Sequence, residues 1–377
     1  MMKVCDFIKT NKFSYSSKDK WEYIYYLDTG NITENHIEKI VKLDPLVDKI
    51  PSRAKRKVKK GNIIYSTVRP NQKHYGYIDK EYDNLLVSTG FIVIDIDENI
   101  ADSKYFYYWL TQEKNTNYLQ AIAENTVATY PSIAPKDIEN MLIELPLFAV
   151  QQKIAKILSN YDDLIENNNK RIKILEEMAQ KIYKEWFVDF KYPGHETATF
   201  KETELGKIVM PKKGKNITKA TIKEGNIPVV AGGLEPAYYH NTSNTEAPVI
   251  TVSASGANAG YVKLYYENIW ASDCSYIDNK MTPYVYYFYS YLKHNQVNVT
   301  NLQKGAAQPH VYPQDLATLK ITDINENVIK QFNLIVTPLF EEIRNIILKN
   351  KLLNQTRDML LPRLMSGEIN VDELEIQ

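Results

Sequence analysis

Cysteine is nearly absent: the 377 residues contain only Cys5 and Cys274. Two thiols build no disulfide framework, and the expected setting is the reducing cytoplasm. Long apolar runs are also missing. No stretch of about 18 apolar residues offers a membrane span, and the opening MMKVCDFIKTNKFSYSSKDK lacks the apolar centre of a secretory signal. Net charge is zero, with 46 basic residues against 46 acidic. That balance argues against a globally basic nucleic-acid binder but leaves room for local segregation of charge. Catalytic signatures are missing as well. There is no GxxxxGK[ST] loop, no GxGxxG opening a helix, no CxxC and no HExxH, and the six histidines show no metal-ligand spacing. Neither Asn-Pro-Pro-Tyr nor Asp-Pro-Pro-Tyr occurs. The glycine-bearing ASGANAG (254–260) has no phosphate-loop lysine. The chain reads as a scaffold or binder.

What is present is repetition. ATYPSIAPKDI (128–138) returns as AAQPHVYPQDL (306–316), an offset of 178 residues that places Pro131 on Pro309, Ile133 on Val311, Pro135 on Pro313, Asp137 on Asp315 and Ile138 on Leu316. The same offset continues downstream, from Ile154 on Phe332 to Ile182 on Leu360. Upstream it drifts: Tyr105 answers Tyr284 at 179, and Gly76-Tyr77 answers Gly260-Tyr261 at 184. A drifting offset implies one plan with loops of different length. Each half therefore reads as a mixed α and β unit followed by a long helix. The expected limits are a first unit at 1–145, a first helix at 146–192, a second unit at 193–325, a second helix at 326–367 and a tail at 368–377. Strands are expected at 61–68, 85–96, 247–254 and 261–266, and helices near 102–119 and 283–295.

The first long helix has neither proline nor glycine from Ala149 to Phe187. Heptad position a holds Ile154, Tyr161, Asn168, Leu175 and Ile182. Position d holds Leu158, Ile165, Ile172, Ala179 and Trp186, so nine of ten seam positions are apolar or aromatic. Asn168 is the exception. A lone Asn here either fixes register and pairing at a cost in stability or is a polar residue tolerated at a solvent gap. The second helix repeats the seam with Phe332, Leu339, Ile346, Leu353 and Leu360 at a. Its d positions are Val336, Ile343, Asn350, Arg357 and Leu364. Pro338 predicts a kink and Pro362 an end. Two such stripes are expected to bury on each other as an antiparallel coiled coil. The 39 residues at 1.5 Å each give a rod of roughly 58 Å.

LPLFAVQQKIAKIL, ILEEMAQKIYKEWFVDF, the repeated A-x-x-P-x-[IV]-x-P-x-D-[IL] phrase and the ending LLPRLMSGEI closely resemble the specificity subunit of Type I restriction–modification systems. The resemblance covers nearly the whole chain and is strongest in the two helices and the phrases before them. It implies an α+β fold with two target recognition domains, each reading half of a split double-stranded DNA site, and a coiled coil that sets the spacer. It also implies docking of two modification (methyltransferase) subunits and of restriction (translocase/endonuclease) subunits. S-adenosylmethionine, ATP and magnesium then belong to those partners, and this chain carries no cofactor and no catalytic residue. The rival reading is a coiled-coil adaptor whose globular units bind proteins.

If DNA is the partner, affinity comes from Lys and Arg on phosphates and specificity from side chains on base edges. The first unit offers RAKRKVKK, with Arg53, Lys55, Arg56, Lys57, Lys59 and Lys60, which otherwise reads as a solvated loop. STVRPNQK adds Arg69 and Lys73, and the family often has an Arg-Pro here. A strand-end Arg can reach a phosphate or a guanine edge, or sit on an acidic neighbour. The second unit lacks an arginine at the matching place and offers Ser253, Ser255 and Asn258, with Lys212, Lys213, Lys215 and Lys304 for charge. The repeated phrase adds Thr129 and Tyr130 in one half and Gln308 and His310 in the other. The competing reading is that the phrase only steers the chain into its long helix.

Overall fold

The computed structural model describes residues 1–16, 18–125, 130–197, 201–305 and 309–371. Two compact units emerge: Met1–Glu166 with Lys351–Gln377, and Asn167–Asn350. In the first unit the strands are β1 (Ile8–Thr10), β2 (Ile24–Leu27), β3 (Val41–Leu43), β4 (Ala54–Lys57), β5 (Ile63–Ser66), β6 (Tyr75–Tyr77), β7 (Leu85–Ser88) and β8 (Phe91–Ile96). They form two four-stranded sheets, ordered β3-β2-β7-β4 and β1-β8-β5-β6. Only β2 and β7 run parallel, with Leu85 opposite Tyr25. The single strand expected over 85–96 is thus two strands in different sheets. Ser88 accepts the Gly90 N–H at 3.3 Å and turns the chain between them. Leu85–Ser88 and 91–94 are buried on both faces, so no alternation in the sequence marks the break.

Helices follow. Asp102 caps α1 (Ser103–Leu110) by accepting the Tyr105 N–H at 2.8 Å. The Thr111 hydroxyl then donates to the Tyr107 carbonyl, and a new helix, α2 (Glu113–Glu124), starts after Gln112. The one helix expected near 102–119 is therefore two. The short α3 (Pro135–Glu139) precedes a strand, Leu142–Ile143, that pairs with Met2–Lys3.

The second unit repeats the β1-β8-β5-β6 sheet strand for strand and has a three-stranded version of the other sheet. Its strands are β9 (Lys212–Lys213), β10 (Ile227–Val230), β11 (Tyr238–His240), β12 (Val249–Ser253), β13 (Val262–Tyr265), β14 (Trp270–Ala271) and β15 (Cys274–Asp278). The sheets are ordered β9-β15-β12-β13 and β11-β10-β14. The parallel pair recurs as β10 with β14, Val229 opposite Trp270. Then come α5 (Val285–His294), α6 (Gln296–Thr300) and α7 (Pro313–Ala317), and the strand Lys320–Asp323 pairs with Lys201–Glu204.

The long helices are α4 (Phe148–Phe187) and α8 (Glu326–Met365), and each contributes to both units. In the first unit Ile154 and Leu158 of α4 share a core with Leu364, and Leu360 packs on it. In the second, Ala179 and Trp186 share a core with Phe332, Val336 and Ile343. Ile172, Leu175, Ile182 and Leu339 are partly buried against it. Ile346 is buried, while Tyr161, Ile165 and Leu353 are half-buried. Each fully buried side chain of this kind contributes about 1.5–3 kcal/mol. Partners across the helices descend in one as they ascend in the other. In the first unit Asp162 holds Arg357 and Lys153 reaches the Val371 carbonyl; in the second Asn168 holds Asn350 and Arg171 holds Glu342. The helix pair is antiparallel within each unit.

Neither proline breaks α8. The helix runs through Pro338, and the end expected at Pro362 falls at Met365, followed by Gly367 at φ +77°. The helix absorbs the lost N–H and the ring contact at each proline, and a left-handed glycine stands two residues past its end.

Candidate nucleic-acid interface

The repeated phrase forms the same joint twice. Pro135 and Pro313 open short helices at a position that needs no N–H. Asp137 and Asp315 reach back to accept the N–H of Ala134 at 2.7 Å and of Tyr312 at 3.1 Å. Ile138 and Leu316 are buried. An equivalent bond ties each phrase to the end of a strand: Ile133 N–H donates to the Thr67 carbonyl at 2.8 Å, and Val311 N–H to that of Ala254 at 3.0 Å. The shared letters are therefore structural, and they hold Tyr130 beside the loop that follows β5 and His310 beside the one that follows β12.

That equivalence corrects the alignment upstream. Ser66 N–H donates to His74 O at 2.9 Å, and Ser253 N–H to Tyr261 O at 3.0 Å. The two loops are equal in length at an offset of 187, so Gly76 does not answer Gly260. Gly76 lies inside β6, whereas Gly260 stands at φ +85° where the first unit has Lys73 at φ +54°.

In the first unit the basic cluster separates into paired and unpaired groups. Ala54–Lys57 is the edge strand β4, not a loop. Lys57 reaches Asp19 at 2.5 Å and lies over the Trp21 ring. The Lys57 hydrogen bond holds the Asp19 carboxyl below its usual range. Lys59 reaches Asp95 at 2.8 Å, within an open cleft of about 450 Å³ also lined by Lys12 and Lys60. Burial pushes the Asp95 pKa up, but Lys59 and Lys12 outweigh it and the net direction is down. Arg56 is half-buried, its pKa lowered by desolvation, with Nη2 near the Thr89 carbonyl at 3.4 Å. Lys73 pairs with Glu34 at 2.5 Å. Arg53, Lys55, Lys60 and Arg69 are exposed, and among the described residues none of them has a carboxylate partner.

Arg69 sits over the exposed Tyr130 ring at 5.7 Å, and its N–H donates to Pro131 O at 3.0 Å. The structure thus brings two separate candidates together. Between Arg69 and Lys73 a single 3-10 turn, Pro70–Gln72, presents Asn71 and Gln72 to solvent. These two amides were missed by sequence reasoning; the signal was the polar character of RPNQK itself. Thr129 lies outside the described residues.

In the second unit Ser253 is buried and donates to the Gly232 carbonyl at 3.0 Å, and Ser255 donates to Asp273. Asn258 ends the turn Gly256–Asn258. His310 pairs with Ser255 and with Lys304 as isolated β-bridges and stacks on Tyr312 at 5.7 Å. Lys304 is bound to Asp315. Lys212 and Lys213 are exposed on β9, and Lys215 is exposed beyond it. They are not drawn to the turn by any contact among the described residues. Gln308 lies outside the described residues.

A family described as the Type I restriction modification DNA specificity domain matches residues 2–177 and 195–322. The chain belongs to that family. The two matched segments carry the two target recognition domains of a Type I specificity subunit. Similar proteins include the HindI specificity subunit of Haemophilus influenzae, 35% identical over 44% of this chain and 36% of that one. The MjaIX specificity subunit of Methanocaldococcus jannaschii is 27% identical over 94% of this chain and 85% of that one. A crystal structure of a Type I restriction–modification S subunit from M. genitalium covers 96% of this chain and 95% of its own, at 17% identity and a TM-score of 0.58. It shares the fold. Among the described residues no helix of this specificity-family chain is long and apolar enough to cross a membrane, and no group of three or more His, Cys, Asp or Glu is placed to hold a metal ion.

Proposed function

We propose that the chain is the non-catalytic DNA-reading subunit of a Type I restriction–modification complex. Each target recognition domain reads one half of a bipartite double-stranded site. The α4 and α8 pair forms an antiparallel coiled coil whose length sets the spacer. Two methyltransferase subunits and the restriction subunits dock on the chain and supply S-adenosylmethionine, ATP and magnesium chemistry in the cytoplasm. The observation that carries this reading is one four-stranded sheet plan built twice, with the same joint and different side chains beside it. A duplicated reader with different contacts suits a site whose halves differ.

The test is footprinting of the chain, assembled with its modification subunits, on a randomised duplex library. The expected result is two protected blocks flanking an unread spacer, with affinity falling steeply as salt rises. No enriched sequence, together with a salt-insensitive interaction with another protein, would overturn the reading in favour of an adaptor.

A further inference from the structure

The turn after β5 has an unusual backbone. Arg69 stands at φ +46° and Lys73 at φ +54°, a region that L side chains rarely adopt. At the equivalent positions the second unit has Gly256 at φ +76° and Gly260 at φ +85°. Glycine is the residue this backbone prefers, so the first unit keeps two cations against local conformational preference. Non-glycine residues held in such strain mark functional sites more often than chance. The two cations have different fates. Lys73 is paired with Glu34. Arg69 is exposed, lies over Tyr130, and among the described residues has no carboxylate partner.

The turn that Arg69 opens is braced from behind. The Asn71 N–H donates to Gln120 Oε1 at 3.1 Å, and Gln120 Nε2 donates to Glu124 at 2.8 Å. One end of the turn is thus held by α2 and the other by Pro131. The side-chain amides of Asn71 and Gln72 are exposed, with no hydrogen-bond partner among the described residues. Three side chains with two adjacent polar atoms each are therefore presented on a fixed backbone. Those are the side chains that bond purine edges in the major groove, Arg to guanine and Asn or Gln to adenine. Asn258 occupies the place of Asn71 in the second unit, while Gly256 and Ala259 replace Arg69 and Gln72. A Cβ at Gly256 would meet nothing within 4 Å, so packing does not forbid a side chain there.

We infer that the turn 69–72 is the base-reading element of the first target recognition domain, with Arg69, Asn71 and Gln72 reading purine edges. Tyr130 and Gln120 are positioning residues that hold Arg69 and the turn. This inference rests on the DNA-reading function proposed above. The second domain reads through the same turn with Asn258 as its shared side chain, and so has fewer contacts there.

The test uses the full chain with its modification subunits and determines the methylated motif for R69G, N71A and Q72A. R69G installs the residue that the second unit carries and relieves the backbone. Its melting temperature is expected to equal or exceed that of the parent, while base preference at one position of one half-site falls roughly tenfold to hundredfold. N71A and Q72A are expected to relax other positions of that half-site only. Q120A should weaken the Asn71 position without touching the second half-site. Unchanged half-sites in R69G, N71A and Q72A, with the parent motif bipartite, would overturn the inference alone. A parent complex that yields no bipartite motif would instead overturn the underlying function.

Discussion

Asp162 carries more structural weight than its sequence context suggests. It accepts the Tyr108 hydroxyl at 2.5 Å and the Arg357 guanidinium at 2.6 Å, so one carboxylate ties α1 and α8 to α4 within the first unit. Both ends of the ion pair are about three-quarters buried, at 26% and 25% exposure. Burial alone lowers the Arg357 pKa, yet Asp162 and Asp358 raise it well above the usual arginine value. D162A takes the acceptor from the Tyr108 phenol and leaves Arg357 with Asp358 alone, and is expected to cost about 1–2 kcal/mol in urea unfolding; a loss under 0.5 kcal/mol would show that water and Asp358 replace the lost carboxylate. Little of this was legible beforehand, because Arg357 looked only like a weak seam position. Charge partners distant in sequence leave no local pattern, and the same holds for Lys57 with Asp19 and Lys59 with Asp95. The shared letters of the phrase were legible, since Pro, Asp and an apolar residue at fixed spacing have one structural use.

At the scale of elements, the seam of α4 and α8 follows its heptads because apolar periodicity is the strongest signal a sequence carries. Its polar exceptions answer each other. Asn168 Nδ2 donates to Asn350 Oδ1 at 2.7 Å, and Asn350 Nδ2 donates to Asn169 Oδ1 at 2.9 Å. Asn168 is buried at 1% exposure and Asn350 at 8%, which decides against a solvent gap. Other registers would bury these amides against leucines, so the pair disfavours them. N168L is expected to destabilise, and N168L/N350L to recover most of the loss, with a coupling of about 1–2 kcal/mol in a double-mutant melting cycle. Additive losses would mean the two amides act independently. Boundaries were less legible. Buried runs such as 85–88 and 91–94 have no alternation to mark the turn between them, and α8 outlasts Pro362 by one turn and ends just before Gly367.

At the scale of the molecule, the repeat was visible in sequence where joints and helices constrain residue choice. It faded in the sheets, where only the pattern of burial must persist. The topology recovers what the letters lost: the second unit rebuilds the β1-β8-β5-β6 sheet as β9-β15-β12-β13, and its other sheet keeps the parallel pair. The one departure that matters for reading is the turn, where equal length conceals an exchange of Arg and Lys for two glycines. On the proposed function, two recognition domains on one plan read one composite site. The most direct measurement is methylome sequencing of cells carrying the chain with its modification partner, compared with the same cells lacking the chain. The account predicts a new adenine-methylated motif of two short specific blocks at a fixed gap. A motif that persists without the chain, or one continuous block, would contradict it.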